Sequence, residues 1–319
     1  MSASFLRFSS RAAIAAALLS VCSSYAQQTG PVKPPAAPAP PADHPQIKVA
    51  VELVQVPVTV TDPYGRIVTG LEKRNFHIFE DTVEQEVVNF SSDEVPVSIG
   101  LVLDLSGSIG GKMPIVRTGA VNFLRDGNPQ DEFLAVGFRT HAELLSAFTS
   151  DPETLQSRML YLTSHGMTAL FDGVYLALGQ MNTAHNARRG IILISDGGEN
   201  HSRHSEKDVY REFQEADTQF YTVGVFGGAR TPEEQEGPTL LHELSERSGG
   251  RDFTAGANSV PDIVQKIGEE LRSEYVLTFR PANHPHDGKF HKIRVQLDTP
   301  KWFPPLNVYA RTGYTAPKS

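Results

Sequence analysis

The chain has a single cysteine, Cys22, among its 319 residues. With no second thiol an internal disulfide cannot form, so stability has to come from core burial and from anything the folded state binds. The chain also lacks a membrane-spanning helix. Its most apolar run, 12–21, falls short of the roughly 20 residues needed to cross a bilayer, and no later segment comes close. Basic clusters are missing as well. Lys and Arg number 29 against 37 Asp and Glu, a formal charge of -8. An acidic chain without a basic stripe is a poor binder of nucleic acid or anionic lipid.

What the N-terminus does have is an export pattern. Arg7 and Arg11 precede the apolar run, and Ser24-Tyr25-Ala26 supplies small residues where a peptidase would cut, so 1–26 is expected to be a signal peptide removed after Ala26. Removal of the two arginines takes the formal charge from -8 to -10. The alternative is lipoprotein processing at Leu19-Ser20-Val21-Cys22, for which Val21 stands where a small residue is wanted. Residues 27–45 are rich in Pro and Ala with almost no charge, a composition that gives an extended, semi-rigid spacer.

The central region carries the chemistry. The run 97–103 is apolar throughout and reads as a buried strand, and it ends in Asp104-Leu105-Ser106-Gly107-Ser108. One carboxylate and two hydroxyls at two-residue spacing then fall in the loop at the strand's C-terminal end, where open α/β sheets bind ligands. Such hard oxygen donors suit magnesium, manganese or calcium rather than zinc. Thr168 adds a hydroxyl at an expected helix start, and the apolar run 190–194 leads into Ser195-Asp196-Gly197-Gly198-Glu199-Asn200. Taken singly, Asp104 and Asp196 could instead cap helices and the serines could be turn residues.

Together these three pieces resemble the von Willebrand factor A family, whose metal-ion-dependent adhesion site joins Asp-x-Ser-x-Ser to a distant Thr and a distant Asp. Asp104, Ser106, Ser108, Thr168 and Asp196 match that pattern. The resemblance implies a divalent cation, usually magnesium and otherwise manganese or calcium. Direct contacts would come from Ser106, Ser108 and sometimes Thr168, while the aspartates act through water. One coordination position would stay open for a Glu or Asp of a protein partner. A cation held mainly by neutral hydroxyls and water keeps much of its charge, which favours such a carboxylate. The acidic balance of the chain sets a mildly unfavourable field against that capture. Glu199 is an additional carboxylate in the same loop, able to bind a second cation, to repel an acidic partner or to point into water.

Around these motifs the sequence alternates strand and helix. Helical spacing runs over 113–125, 154–162, 170–181, 205–217, 238–248 and 260–271, and strands are expected at 132–138, 142–148, 189–194, 219–226 and 251–254. This is the pattern of a doubly wound, mostly parallel α/β sheet, here 95–274. The flanks differ. Residues 51–61, 75–80, 86–90, 273–280, 289–297 and 306–311 are strand-like and separated by Pro, Asn, Asp and Gly. Neither flank, 46–94 or 275–319, can bury a core alone, so they are expected to pair into one small antiparallel β-sandwich into which the α/β domain is inserted. The alternative is loose hairpins lying on the central domain.

Enzyme signatures fall short. His242-Glu243-Leu244-Ser245-Glu246 lacks the second histidine of a zinc-protease helix, and Ser108 lacks the first glycine of a nucleophile elbow. His284, His286 and His291 read as turn residues around Asp287-Gly288, and His201 and His204 as solvated loop histidines. The expectation is therefore an exported, non-enzymatic protein that uses a cation to engage a partner's carboxylate. The competing readings are a structural protein whose metal only pins loops and a metal-dependent hydrolase.

Overall fold

A computed structural model describes residues 53–227, 232–256, 259–281, 287–300 and 303–318. The expected signal peptide and spacer, with Cys22, lie outside these residues, as do His284 and His286. The chain forms β1 (Val54–Thr61), β2 (Phe76–Glu80), β3 (Val83–Gln85) and β4 (Val87–Ser91) before entering the α/β unit. There it forms β5 (Val97–Asp104), α1 (Met113–Asp126), β6 (Glu132–Phe138), β7 (Ala142–Thr149), α2 (Pro152–Met159) and α3 (Leu170–Met181). Next come β8 (Arg188–Ser195), α4 (Glu206–Glu215), β9 (Gln219–Val225), α5 (Pro232–Ser248), β10 (Asp252–Ala255) and α6 (Val260–Arg272). It leaves through β11 (Tyr275–Phe279), β12 (Phe290–Leu297), β13 (Asn307–Ala310) and β14 (Gly313–Thr315).

The six-stranded central sheet has the order β10-β9-β8-β5-β6-β7, parallel except for β7. β5 is buried along its full length because helices cover both faces, which is why its sequence reads as an unbroken apolar run rather than an alternation. On one face α1 and α6 pack over Ile99, Leu101 and Leu103; on the other, α3, α4 and α5 pack over Val102, Ile191 and Leu193. α6 shows how sequence spacing sets this layer. Val260, Val264, Ile267 and Leu271 are buried at intervals of four, three and four, one stripe of the helix, and full burial of each such side chain contributes about 1.5–3 kcal/mol. Since β6 lies on one side of β5 and β8 on the other, the strand order reverses at the β5/β8 pair, and the crevice for a ligand opens at their C-terminal ends.

The flanks form two four-stranded sheets, β13-β1-β11-β4 and β14-β12-β2-β3, each built from strands on both sides of the insertion. They close on one core with Val56, Val58, Ile78, Leu277, Phe279, Ile293 and Tyr314. Phe76, Phe90 and Tyr275 pack with ring centroids 5.0–5.9 Å apart. The expected inserted topology is the one observed. The hairpin signal after β1 is realised only as a short return. Asp62 caps the turn by accepting from the Tyr64 and Arg66 amides at 2.9 Å, and the return strand is a single bridge from Thr61 to Ile67. The long-range partners β11 and β13 take the two edges of β1 instead. β3 and β14, three residues each, were too short to give a sequence signal.

Candidate metal centre

Asp104 is the last residue of β5 and is fully buried. Its Oδ1 accepts from the Ser106 amide at 2.9 Å and its Oδ2 from the Ser195 hydroxyl at 2.6 Å. The carboxylate is thereby fixed between the two strands at the switch point. Ser195 also accepts from the Gly197 amide at 2.9 Å, so one hydroxyl organises both strand ends. The Ser106 and Ser108 hydroxyls lie 3.0 Å apart; Ser106 is buried and Ser108 faces solvent. Asp196 is buried beside them. Its Oδ1 accepts from the Gly198 amide at 3.3 Å, and the Lys112 ammonium lies 3.4 Å from its Oδ2.

The two aspartates lie close enough to act on each other. Burial pushes the Asp104 carboxyl up to about 6, with the hydrogen bonds from Ser106 and Ser195 pulling it down and the charge of Asp196 adding to the rise. Two buried carboxylates that share a field call for a cation. Among the described residues no group of three or more His, Cys, Asp or Glu could hold a metal, so a cation here would depend on hydroxyl oxygens. Two carboxylates with serine and threonine hydroxyls form the hard donor set that suits magnesium, manganese or calcium, and the residues present fit such an ion.

Thr168 enters by a different route. The Gly107 amide donates to the Gly166 carbonyl at 3.1 Å and the His165 amide to the Leu105 carbonyl at 2.9 Å, which ties the 163–168 loop to the first motif. The Thr168 carbonyl accepts from the Asn200 and His201 amides at 3.0 and 3.1 Å, and its own amide donates to Asn200 Oδ1 at 2.9 Å. Thr168 is buried, and its hydroxyl has no hydrogen-bond partner among the described residues. The structure thus brings Asp104, Ser106 and Ser108 into one hydrogen-bonded group, sets Asp196 next to it, and ties the loop of Thr168 to both motifs.

Glu199 has another task. Its carboxylate accepts from the Phe171 amide at 3.0 Å, the Ser202 amide and hydroxyl at 2.9 and 2.7 Å, and the His201 amide at 3.0 Å. It caps the start of α3 and closes its own loop, so it neither points into water nor offers a free oxygen to a second cation. Asp172, one residue further along α3, does the same for the next turn. It is buried and accepts from the His204 amide and ring and from the Arg203 amide and side chain at 2.7–3.2 Å. These bonds hold its carboxyl below the usual carboxylate range against the effect of burial, the largest single influence. His204 is stacked on Tyr175 with centroids 3.9 Å apart, which corrects its assignment as a loosely solvated histidine.

Sequence reasoning missed Lys112, Ser195 and Asp172. Lys112 lies in a glycine-rich turn, and Asp172 is an acidic residue in the first turn of α3, a common place for one. The rim of the site carries charges of both signs. Lys112, Arg139 and Arg203 stand on the loops around it with exposed His141, His165 and His201. The nearby carboxylates of Asp104, Asp172, Asp196 and Glu199 are internally bonded, and Glu143 is paired with Arg139 at 3.1 Å.

No curated protein matches the chain. Among solved structures it is similar to the conserved hypothetical protein BatB from Bacteroides thetaiotaomicron, at 16% identity over 56% of this chain and 100% of that one, TM-score 0.45. It is similar to the von Willebrand factor domain of a type V pili tip protein from Porphyromonas gingivalis, at 16% identity over 55% of this chain and 95% of that one, TM-score 0.45. A von Willebrand factor type A protein from Catenulispora acidiphila aligns over 84% of this chain and 75% of its own, at 11% identity and TM-score 0.49. The family model for the von Willebrand factor type A domain matches residues 99–199, a span that starts in β5 and ends beyond Asp196, and this part of the α/β unit is of the von Willebrand factor type A kind.

Proposed function

We propose that this is an exported, non-enzymatic binding protein. Its type A domain holds a divalent cation, magnesium by preference, through Ser106, Ser108 and Thr168, with Asp104 and Asp196 behind them, and uses it to engage a Glu or Asp of a protein partner. The observation that carries the reading is the pair of mutually repelling, buried aspartates beneath a partly exposed hydroxyl group. When bound, the cation would supply an unsaturated coordination position for an acidic side chain.

Two competing readings lose support. A purely stabilising metal would have loops to pin, yet the three loops are already joined by direct backbone hydrogen bonds. A hydrolase would need a general base beside the open position, and Glu199 has no free oxygen for that work.

The test is thermal unfolding of the mature chain in chelator and then in magnesium, manganese or calcium, for wild type, Asp104→Ala and Thr168→Ala. A cation at 100 times its Kd stabilises the folded state by about 2.7 kcal/mol, a shift of several degrees. The expected outcome is a rise for wild type and little or none for either variant. An equal rise in all three would place the metal elsewhere and overturn the proposal.

A further inference from the structure

The C-terminal end of α5, the end of α4 and the strands β1, β12 and β14 enclose a second, separate cavity. Two guanidinium groups line it, those of Arg247 and Arg311, together with Tyr210, Asp217 and Thr312. Arg247 lies over the Tyr210 ring, its Cζ 3.8 Å from the centroid, and forms no ion pair among the described residues. Arg311 is more deeply set, with 17% of its side chain exposed, and its Nε finds no hydrogen-bond partner among the described residues. Its one ion-pair partner among the described residues is Asp217, which is 3.6 Å away and half exposed. Burial accordingly pushes the Arg311 guanidinium below its usual value. A buried guanidinium with an unsatisfied N–H and one loose partner is costly unless a further acceptor arrives.

The charge of the cavity restricts that acceptor. A planar carboxylate brings a single charge to the guanidinium groups, whereas a phosphate monoester would set a second charge against Asp217. The cavity continues, through Gln214, Asp217 and Arg311, into an open groove of about 810 Å3 that reaches Lys318. We propose that this junction binds a small organic dicarboxylate. One carboxylate would enter between Arg311 and Arg247 as a charge-assisted, planar contact, and the remainder would lie in the groove toward Lys318. The site is independent of the metal centre, which lies at the C-terminal ends of β5 and β8.

The test is calorimetric titration of sodium succinate into the mature Asp104→Ala chain in chelator, which removes any capture of carboxylate by a metal. Saturable binding is expected, weakened about tenfold or more by Arg247→Gln and abolished by Arg311→Gln, with circular dichroism confirming that each variant is folded. Should Arg311→Gln fail to fold, the exposed Arg247 decides alone. No saturable binding, or binding unchanged by Arg247→Gln, overturns the proposal. Sodium phosphate binding as tightly as succinate would overturn the assignment to a carboxylate.

Discussion

The two ends of the central sheet handle buried charge in opposite ways. At the N-terminal ends of the strands, arginines meet carboxylates directly. Arg272 Nη1 is 2.7 Å from Asp131 Oδ2, whose other oxygen accepts from the Val97 amide at 3.0 Å; Arg251 bonds Glu270; and Arg188 faces Glu274 at 3.8 Å while donating to the carbonyls of Arg272, Leu271 and Asp93. These are the places where the chain leaves the β-sandwich before β5 and returns to it after α6, so the pairs hold the insertion in its frame. At the C-terminal ends, Asp104 and Asp196 are held by hydroxyls, amides and one lysine. An arginine set against a carboxylate fixes geometry, whereas carboxylates supported mainly by hydroxyls and amides keep much of their charge available.

The largest effect should come from the closed end. Arg272→Ala leaves Asp131 buried without its guanidinium, and removing one partner of such a pair costs about 3–5 kcal/mol. The melting temperature should fall steeply and by the same amount in chelator and in magnesium. A loss confined to the magnesium condition would break the distinction between the two ends. Glu274→Gln examines the same end through pH. Burial pushes the Glu274 carboxyl up from 4.5 to about 8, with Arg188 only partly offsetting it, so the folded chain keeps a proton that the unfolded chain has released. Stability from this group is therefore greatest below pH 4.5 and declines as pH rises toward 8. The Gln variant has no such decline, and its advantage over wild type should grow by roughly 2–4 kcal/mol between those limits, at 1.36 kcal/mol per unit. Parallel pH curves for the two proteins would show that Arg188 neutralises Glu274 after all.

The open end was the more legible of the two in sequence. Asp104, Ser106 and Ser108 are contiguous, and the strands before them are apolar runs, so local pattern alone places the oxygens at a strand end. α3 was delimited to the residue, Leu170–Met181, because its apolar stripe is unbroken. The closed end was invisible. Asp131 and Arg272 are 141 positions apart, and nothing local distinguishes them from surface charges. α5 begins six residues earlier than its periodicity suggested, at Pro232 rather than Pro238, since an internal proline reads as a helix start. The roles of Glu199 and Asp172 depend on which amides their loops bring to them, which residue type alone does not reveal.

Within the open end, Gly197→Ala asks how tightly the Asp196 loop is held. Gly197 has φ +78 and packs against the backbone of Gly237 on α5, so a methyl group is strained by conformation and by contact. The expected loss is about 1–3 kcal/mol, accompanied by a larger fall in the magnesium response, because Asp196 is the preceding residue. A stability loss with an unchanged metal response would show that the loop can shift without moving the carboxylate.

Lys112→Met makes the finest cut. The Lys112 ammonium is 3.4 Å from Asp196 Oδ2 and its side chain is 15% exposed, so among the described residues it is the fixed cation directly against the proposed metal ligands. Partial exposure and a long contact limit its contribution to about 1 kcal/mol or less, and the metal-free variant should melt only slightly lower than wild type. A divalent cation brought to the same carboxylate is repelled by the ammonium, so the variant should bind magnesium more tightly, and its stabilisation by the metal should exceed that of wild type. At saturating magnesium the two melting temperatures should converge. If the metal-induced rise shrinks instead, Lys112 supports the geometry of the bound site rather than opposing the ion, and the open end is less open than its mainly neutral donors imply.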